Sequence, residues 1–200
     1  MADSMVASFW GPVTSTTELC EENYAHSSYI AEFYNTISNV PCVLLALIGL
    51  VNAFRQGFEK RFSVLHISNM ILAIGSMIFH ATLQLLLQQS DETPMVWEIL
   101  LYISSFLCPV PSCIQVALHW PLLPLHPPDV QVLHTDERRG CEAACKAGHA
   151  WWHVLMGLNS YYANTFLMFC RAQQRGWEPR ITHLLGFLPY VKVQKPEKRE

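Results

Sequence analysis

Two long apolar runs decide what this chain can fold into. Residues 33–54 read FYNTISNVPCVLLALIGLVNAF, and residues 62–87 read FSVLHISNMILAIGSMIFHATLQLLL. At a helical rise of about 1.5 Å per residue, each can cross a hydrocarbon core about 30 Å thick. Inside lipid the backbone must satisfy its own polar groups, which makes such runs helices. The composition agrees. The chain is 51% hydrophobic and only 14% charged, whereas soluble domains carry about 25% charged residues. The expected fold class is an all-α integral membrane protein.

A polar, acidic segment occupies residues 1–32 and precedes the first run. The polar turn QQSDETP is expected to end the second run at Pro94. A third apolar stretch, MVWEILLYISSFL at 95–107, stops at the proline pair of CPVP. Thirteen residues are few for a crossing, so this stretch reads as a re-entrant segment. A Pro-rich stretch without a spanning run follows and reads as irregular. At 149–170 the apolar pattern returns as HAWWHVLMGLNSYYANTFLMFC, before a short apolar patch, LLGFLPY, and a basic tail. The organisation is 1–107, an N-terminal acidic segment with the first membrane helices; 108–148, an irregular divergent segment; and 149–200, the HAWWH helix and tail. About three to four membrane segments are expected.

Charge placement orients them. The first 54 residues hold no Lys or Arg but five acids, whereas seven of the 13 basic residues follow Cys170. The loop RQGFEKR at 55–61 is basic. The positive-inside rule places that loop in the cytosol and the N-terminus in the lumen or outside. His80 then lies roughly 28 Å beyond Arg61, near the lumenal side. The near-neutral net charge of −3 gives no reason to expect nucleic-acid binding. Seven irregularly spaced cysteines do not suggest a disulfide framework.

Three polar features sit in or beside the apolar runs, where ionisable residues are costly and default to functional candidates. Ser76 and His80 are spaced i and i+4 and share a helix face. Asp91 lies in the polar stretch beyond them. His149 and His153 repeat the i, i+4 spacing, which lets two imidazoles bind one metal from one helix. A third ligand from another helix would leave a position open, the layout of a catalytic zinc. On one helix Cys141, Cys145, His149 and His153 cannot all reach one metal, which disfavours a soluble zinc module. The acids Glu18, Glu21 and Glu32, with Asn23, offer oxygen ligands suited to calcium, a hard cation. Their plainer reading is a solvated acidic loop.

The stretches WGPVTSTTELCEENYAHSSYIAEFYNTISN (10–39), GSMIFHATLQ (75–84), DETPM (91–95) and HAWWHVLMGLNSY (149–161) closely resemble alkaline ceramidases. The C-terminal part resembles plant members most. The resemblance implies a seven-transmembrane-helix bundle of the endoplasmic reticulum or Golgi that hydrolyses the ceramide amide to a sphingoid base and a fatty acid. This chain would be a partial version, because nothing in 108–146 matches the family's central helices. By position, His80, His149 and His153 would bind zinc, with Ser76 and Asp91 as the catalytic residues. Glu18, the Leu19 carbonyl, Glu21, Asn23 and Glu32 would hold a structural calcium. The implied partners are the ceramide lipid and the membrane. The shortened middle leaves open a non-catalytic truncated member of the family. A related seven-helix receptor, which shares a Ser, His, Asp and HxxxH set, is a further alternative. To bring Asp91 to the metal, the chain has to turn back after His80, since 11 further residues of helix would carry it about 16 Å away.

Overall fold

The computed structural model describes residues 8–17, 21–107 and 148–195. The described residues form α1 (Phe33–Ile37), α2 (Val40–Gln56), α3 (Lys60–Thr82), α4 (Leu85–Leu107) and α5 (Gly148–Gln174). A two-stranded antiparallel sheet follows, β1 (Glu178–Leu184) and β2 (Leu188–Gln194). Two helical stretches, Phe33–Gln56 and Lys60–Thr82, are long and apolar enough to cross a membrane. Pro41 stands in the first turn of α2, where its missing N–H goes unused. Gly57, at φ 62°, closes that helix in the left-handed conformation.

The exterior is apolar and much of the interior is polar. Leu44, Leu47, Phe54, Ile71, Ile78 and Phe166 are exposed, while Asn39, His66, His80, Glu98, His153 and Asn164 are buried. This inverts the soluble pattern and suits a bundle whose solvent is lipid. In that solvent apolar side chains gain little by facing each other, so close backbone approach and polar contacts hold helices together. Three glycines supply the approach. A Cβ on Gly49 would lie 2.1 Å from the His66 ring, joining α2 to α3. A Cβ on Gly75 would lie 2.1 Å from the Ser90 carbonyl oxygen, joining α3 to α4. A Cβ on Gly157 would lie 2.4 Å from Cys42 Sγ, joining α5 to α2.

Two sequence expectations are corrected. The second helix ends at Thr82, not at residue 87. The reversal occurs at Leu83, whose φ of 50° is left-handed. That conformation costs a non-glycine residue about 1–2 kcal/mol. Burying the Leu83 side chain among Tyr24, Ala31 and Phe79 offsets it, at about 1.5–3 kcal/mol for a leucine. The Leu83 carbonyl also accepts hydrogen bonds from the Thr14 and Ser15 N–H groups. The stretch QQSDETP is consequently helix, the early turns of α4, with Pro94 inside it. Its polar side chains face protein: Gln88 accepts from the Thr16 N–H and hydroxyl, and Ser90 Oγ donates to the Gly75 carbonyl.

The second correction concerns 95–107. These residues are not a short re-entrant segment but the continuation of α4 along the whole of α3. Ser90 meets Gly75 near one end of the bundle, and Leu101 packs with Phe62 and Leu65 near the other. α5 runs parallel to α4, since His149 and Asp91 border one cavity while Ser160 Oγ donates to Glu98 farther along. Leu107 and Gly148 therefore lie at opposite ends of the bundle.

The C-terminal sheet was not anticipated in an all-α reading. Its turn uses Leu185 and Gly186 at φ 53° and 82°. The outer edge of β2 is satisfied by helix side chains. Tyr161 Oη donates to the Pro189 carbonyl at 2.8 Å, and the Val193 N–H donates to Gln56 Oε1 at 3.0 Å. The Asn52 amide, with its nitrogen turned toward the strand, brackets the Val191 carbonyl and N–H at 3.0 and 3.2 Å.

At this end Glu59, between α2 and α3, pairs with Arg61 at 2.7 Å, with Arg171 at 2.6 Å, and with Arg175. Burial pushes its carboxyl up. The hydrogen bond from Arg171 and the charges of Arg61, Arg171 and Arg175 outweigh that and hold it below the usual carboxylate range. A carboxylate with a depressed folded pKa stabilises above its unfolded value, about 4.3, and loses that stabilisation as pH falls through the folded value. Thermal unfolding in detergent should therefore show a Tm that declines as the pH drops below about 4.3. Glu59→Gln should flatten this acid limb; an unchanged limb would show that the arginine cluster stabilises nothing.

Candidate metal centre and its cavity

Three imidazoles meet where α3 and α5 converge. His80 ends α3, one turn after Ser76, and His149 and His153 occupy the first two turns of α5. One ring nitrogen of each histidine lies within 4.8 Å of those of the other two. The ring centroids are 5.1 Å apart for His80 and His149, 4.9 Å for His80 and His153, and 4.4 Å for His149 and His153.

The outward-facing nitrogens of His80 and His153 are held by other side chains. His80 Nδ1 is 2.6 Å from Glu32 Oε2, and both residues are 0% exposed. The Asn35 amide donates to that same carboxylate oxygen. His153 Nδ1 is 2.8 Å from Ser38 Oγ and 3.2 Å from Asn39 Nδ2. Such partners fix the ring orientation of a metal-bound histidine and raise its basicity. The inward-facing Nε2 atoms of His80 and His149 are buried and have no hydrogen-bond partner among the described residues. Two unsatisfied imidazole nitrogens cost free energy, and a metal ion would satisfy both. Three nitrogen donors with room for a fourth ligand fit zinc.

Ser76 Oγ lies 3.4 Å from His153 Nε2 and accepts from the Asn39 amide at 3.1 Å. Asp91 borders the same cavity, close enough to Ser76 and His80 to interact with both. The reversal at Leu83 brings it there: α4 turns back along α3, so the second turn of one helix meets the last turns of the other. The cavity, of about 150 Å³, runs from the histidines past Cys42, Ala73 and Trp152 to a second polar group at Asn69, Glu98 and Ser160.

Of the N-terminal acids, Glu21 caps α1 by accepting from the Tyr34 and Asn35 N–H groups at 2.7 and 3.0 Å. Glu32 points to His80, and Asn23 is exposed. Glu18, Leu19, Cys141 and Cys145 lie outside the described residues. Sequence reading did not single out Ser38 and Asn39 or the contact of Glu32 with His80. The available signal was NTISN, a polar run at the mouth of an apolar span, where polar residues default to function.

A family model described as Ceramidase matches residues 11–125. The chain belongs to the ceramidase family. It is 52% identical over 254 aligned positions to "Alkaline ceramidase" of Arabidopsis thaliana, covering 98% of this chain and 99% of that protein. It is 24% identical over 258 positions to "Alkaline ceramidase 3" of Mus musculus, covering 95% and 96%. A shorter match, 37% identical over 97 residues, links 48% of this ceramidase-family chain to 34% of "Alkaline ceramidase" of Drosophila melanogaster. The Arabidopsis alignment has 254 positions and this chain 200 residues, so at least 54 positions face a gap here.

Proposed function

We propose that this protein hydrolyses the amide bond of ceramide, releasing a sphingoid base and a free fatty acid, with zinc held by His80, His149 and His153. The observation that carries the reading is the convergence of three imidazoles beside Ser76 and Asp91, in a cavity inside an apolar bundle. The alkaline ceramidase names of its relatives support the substrate. Zinc supplies Lewis acidity when bound, lowering the pKa of water and polarising a carbonyl. Asp91 takes the proton of the attacking water and returns it to the amide nitrogen as the C–N bond breaks. Ser76 donates a hydrogen bond to the carbonyl oxygen as charge develops there. Glu32 and Ser38 hold His80 and His153 in the orientation the site needs.

The structural calcium belongs to the same proposal, with Glu18, the Leu19 carbonyl, Glu21, Asn23 and Glu32 as ligands. So do residence in the endoplasmic reticulum or Golgi membrane with a lumenal N-terminus, and a helix set that is part of a seven-helix bundle. Basic residues gathered at the Glu59 end support that orientation. A second reading has a specific observation in its favour. The 54 or more gapped positions remove wall from the bundle, as in a family member that binds metal without turnover.

Metal removal separates the two. Protein purified in detergent should carry about one zinc per chain. A chelator should abolish ceramide hydrolysis and added zinc restore it. Hydrolysis that persists in metal-free protein would sink the zinc reading, and zinc-loaded protein without hydrolysis would favour the non-catalytic one.

A further inference from the structure

The cavity is polar at two levels, and the second repeats the first one heptad away. Seven residues from Ser76 on α3 stands Asn69, seven from Asp91 on α4 stands Glu98, and seven from His153 on α5 stands Ser160. All six line the cavity. Seven residues are close to two helical turns, so each step keeps the helix face and moves about 10.5 Å along the axis. Because α4 and α5 run opposite to α3, the three steps lead the same way, toward the Glu59 end. On α2 the same step leads from Asn39 to Ala46, which line the cavity as well. The second level is one connected network. The Asn69 amide, with its nitrogen turned toward α4, donates to the two Glu98 oxygens at 2.5 and 3.1 Å, and its oxygen accepts from Asn164 Nδ2 at 3.0 Å. Ser160 Oγ donates to Glu98 Oε1 at 3.0 Å. Asn164 Nδ2 is also 3.5 Å from His66 Nδ1. The network is incomplete. His66 Nε2 and Asn164 Oδ1 are buried without a hydrogen-bond partner among the described residues. Polar groups that served only to pack helices would close on themselves; these line the same cavity as the histidines.

We propose that Asn69, Glu98 and Ser160 form a hydroxyl-recognition subsite, which selects amides of 2-amino alcohols. This rests on the lipid-amide reading above, in which Ser76 donates to the substrate carbonyl oxygen. The spacing of the two levels names the ligand. A hydrogen bond of about 2.8 Å at each level leaves about 5 Å of the 10.5 Å step between the two ligand oxygens. At standard bond lengths of about 1.2–1.5 Å, that is the reach of the chain O=C–N–C–C–O. Its hydroxyl stands on a carbon next to the one that bears nitrogen. The sphingoid part of a ceramide carries two hydroxyls of this kind. A hydroxyl on the acyl chain beside the carbonyl is only three bonds from the carbonyl oxygen and falls short of the second level. A carboxylate has about four acceptor sites, so Glu98 can receive a ligand hydroxyl beside the Asn69 and Ser160 donors. Ala46, opposite on α2, is small and offers no competing polar group. A lipid amide without the hydroxyl would leave these buried groups facing hydrocarbon, which is how a polar site rejects an apolar analogue.

The experiment compares two substrates that differ in the hydroxyls alone: a ceramide, and an N-acyl-2-aminoalkane of the same chain lengths with neither hydroxyl. In mixed micelles the wild type should hydrolyse the ceramide with a kcat/KM about 10–100-fold higher. Glu98→Ala should bring the two substrates close to parity, by slowing the ceramide and sparing the analogue. Ser160→Ala keeps the carboxyl and should lie between; it carries the same comparison if Glu98→Ala does not fold. Equal losses for both substrates would make the network a packing device for α3, α4 and α5 and overturn the subsite. Parity in the wild type would overturn it without any variant. A second arm does not depend on turnover. Tritiated ceramide bound to Asp91→Asn protein should be displaced by unlabelled ceramide at a concentration about 10–100-fold lower than by the analogue. Wild-type protein that hydrolyses neither lipid would sink the amidase reading. Displacement would still decide the subsite, since a preference for ceramide sustains it and parity overturns it.

Discussion

Alanine at His80 is expected to abolish ceramide hydrolysis and release the metal. The imidazole reaches the centre from α3, whereas the other two come from α5, so its loss leaves two donors on one helix and none facing them. Outer partners of metal ligands are worth about 10–100-fold in metal affinity or activity, and loss of a ligand itself should exceed that. Glu32→Gln provides the graded comparison. Its carboxylate accepts from His80 at 2.6 Å and from Asn35 at 3.1 Å, with no solvent access. An amide in its place keeps the shape but removes the charge that makes the imidazole more basic. Zinc affinity, measured against a competing chelator, should fall about 10–100-fold, less than for His80→Ala. The inverse order, or ceramide turnover that His80→Ala leaves intact, would remove the three-histidine centre as the basis of function. A Glu32→Gln protein with reduced Tm but unchanged zinc affinity would assign the carboxylate to packing alone.

How much of this arrangement could be read from the chain varies with the kind of signal. The runs around Leu45 and Leu72 announce membrane-length helices because a lipid solvent imposes one requirement on every residue. The HxxxH spacing announces that His149 and His153 face one centre because i and i+4 share a face whatever surrounds them. The position of the reversal after His80 was misread because QQSDET is as polar as a loop. Nothing local shows that Gln88 will bond to Thr16, or that Ser90 will meet Gly75. Both contacts are long-range, and they convert a polar stretch into the inner face of a helix. The strand pair was missed for a related reason. Val191 and Val193 pair with Ile181 and Pro179 only because Asn52, Gln56 and Tyr161 satisfy the free edge of β2. That support comes from helices far away in sequence. Glu32 illustrates the same limit within the site. Its residue type suits a cation, and its sequence position does not reveal that one of its oxygens faces His80.

Gly75→Ala should damage both stability and activity, through one contact that has nothing to move out of the way. A Cβ at this position would sit 2.1 Å from the Ser90 carbonyl oxygen and 2.9 Å from its carbon. Both are backbone atoms of α4, so relief requires shifting the helix and not a rotamer. The Ser90 oxygen projects toward Gly75 for a reason visible in the sequence: the residue four positions on is Pro94, which has no N–H to engage it. Overpacking of this kind costs about 1–3 kcal/mol, and a chain of this size loses about 2–4 °C of Tm per kcal/mol. The activity loss should be larger than that loss of stability alone would produce, because the neighbours of the two contacting residues are Ser76 and Asp91. A misplacement of about 1 Å between catalytic groups is worth about 100-fold. Pro94→Ala restores an N–H that draws the Ser90 oxygen back into its own helix, so the double variant Gly75→Ala/Pro94→Ala should recover part of the Tm that Gly75→Ala loses. The two changes should thus be non-additive, as expected for residues sharing one contact. A double-variant cycle by thermal unfolding and ceramide turnover checks this. If Gly75→Ala keeps wild-type stability and rate, the close approach of α3 and α4 is not what sets Asp91 against Ser76.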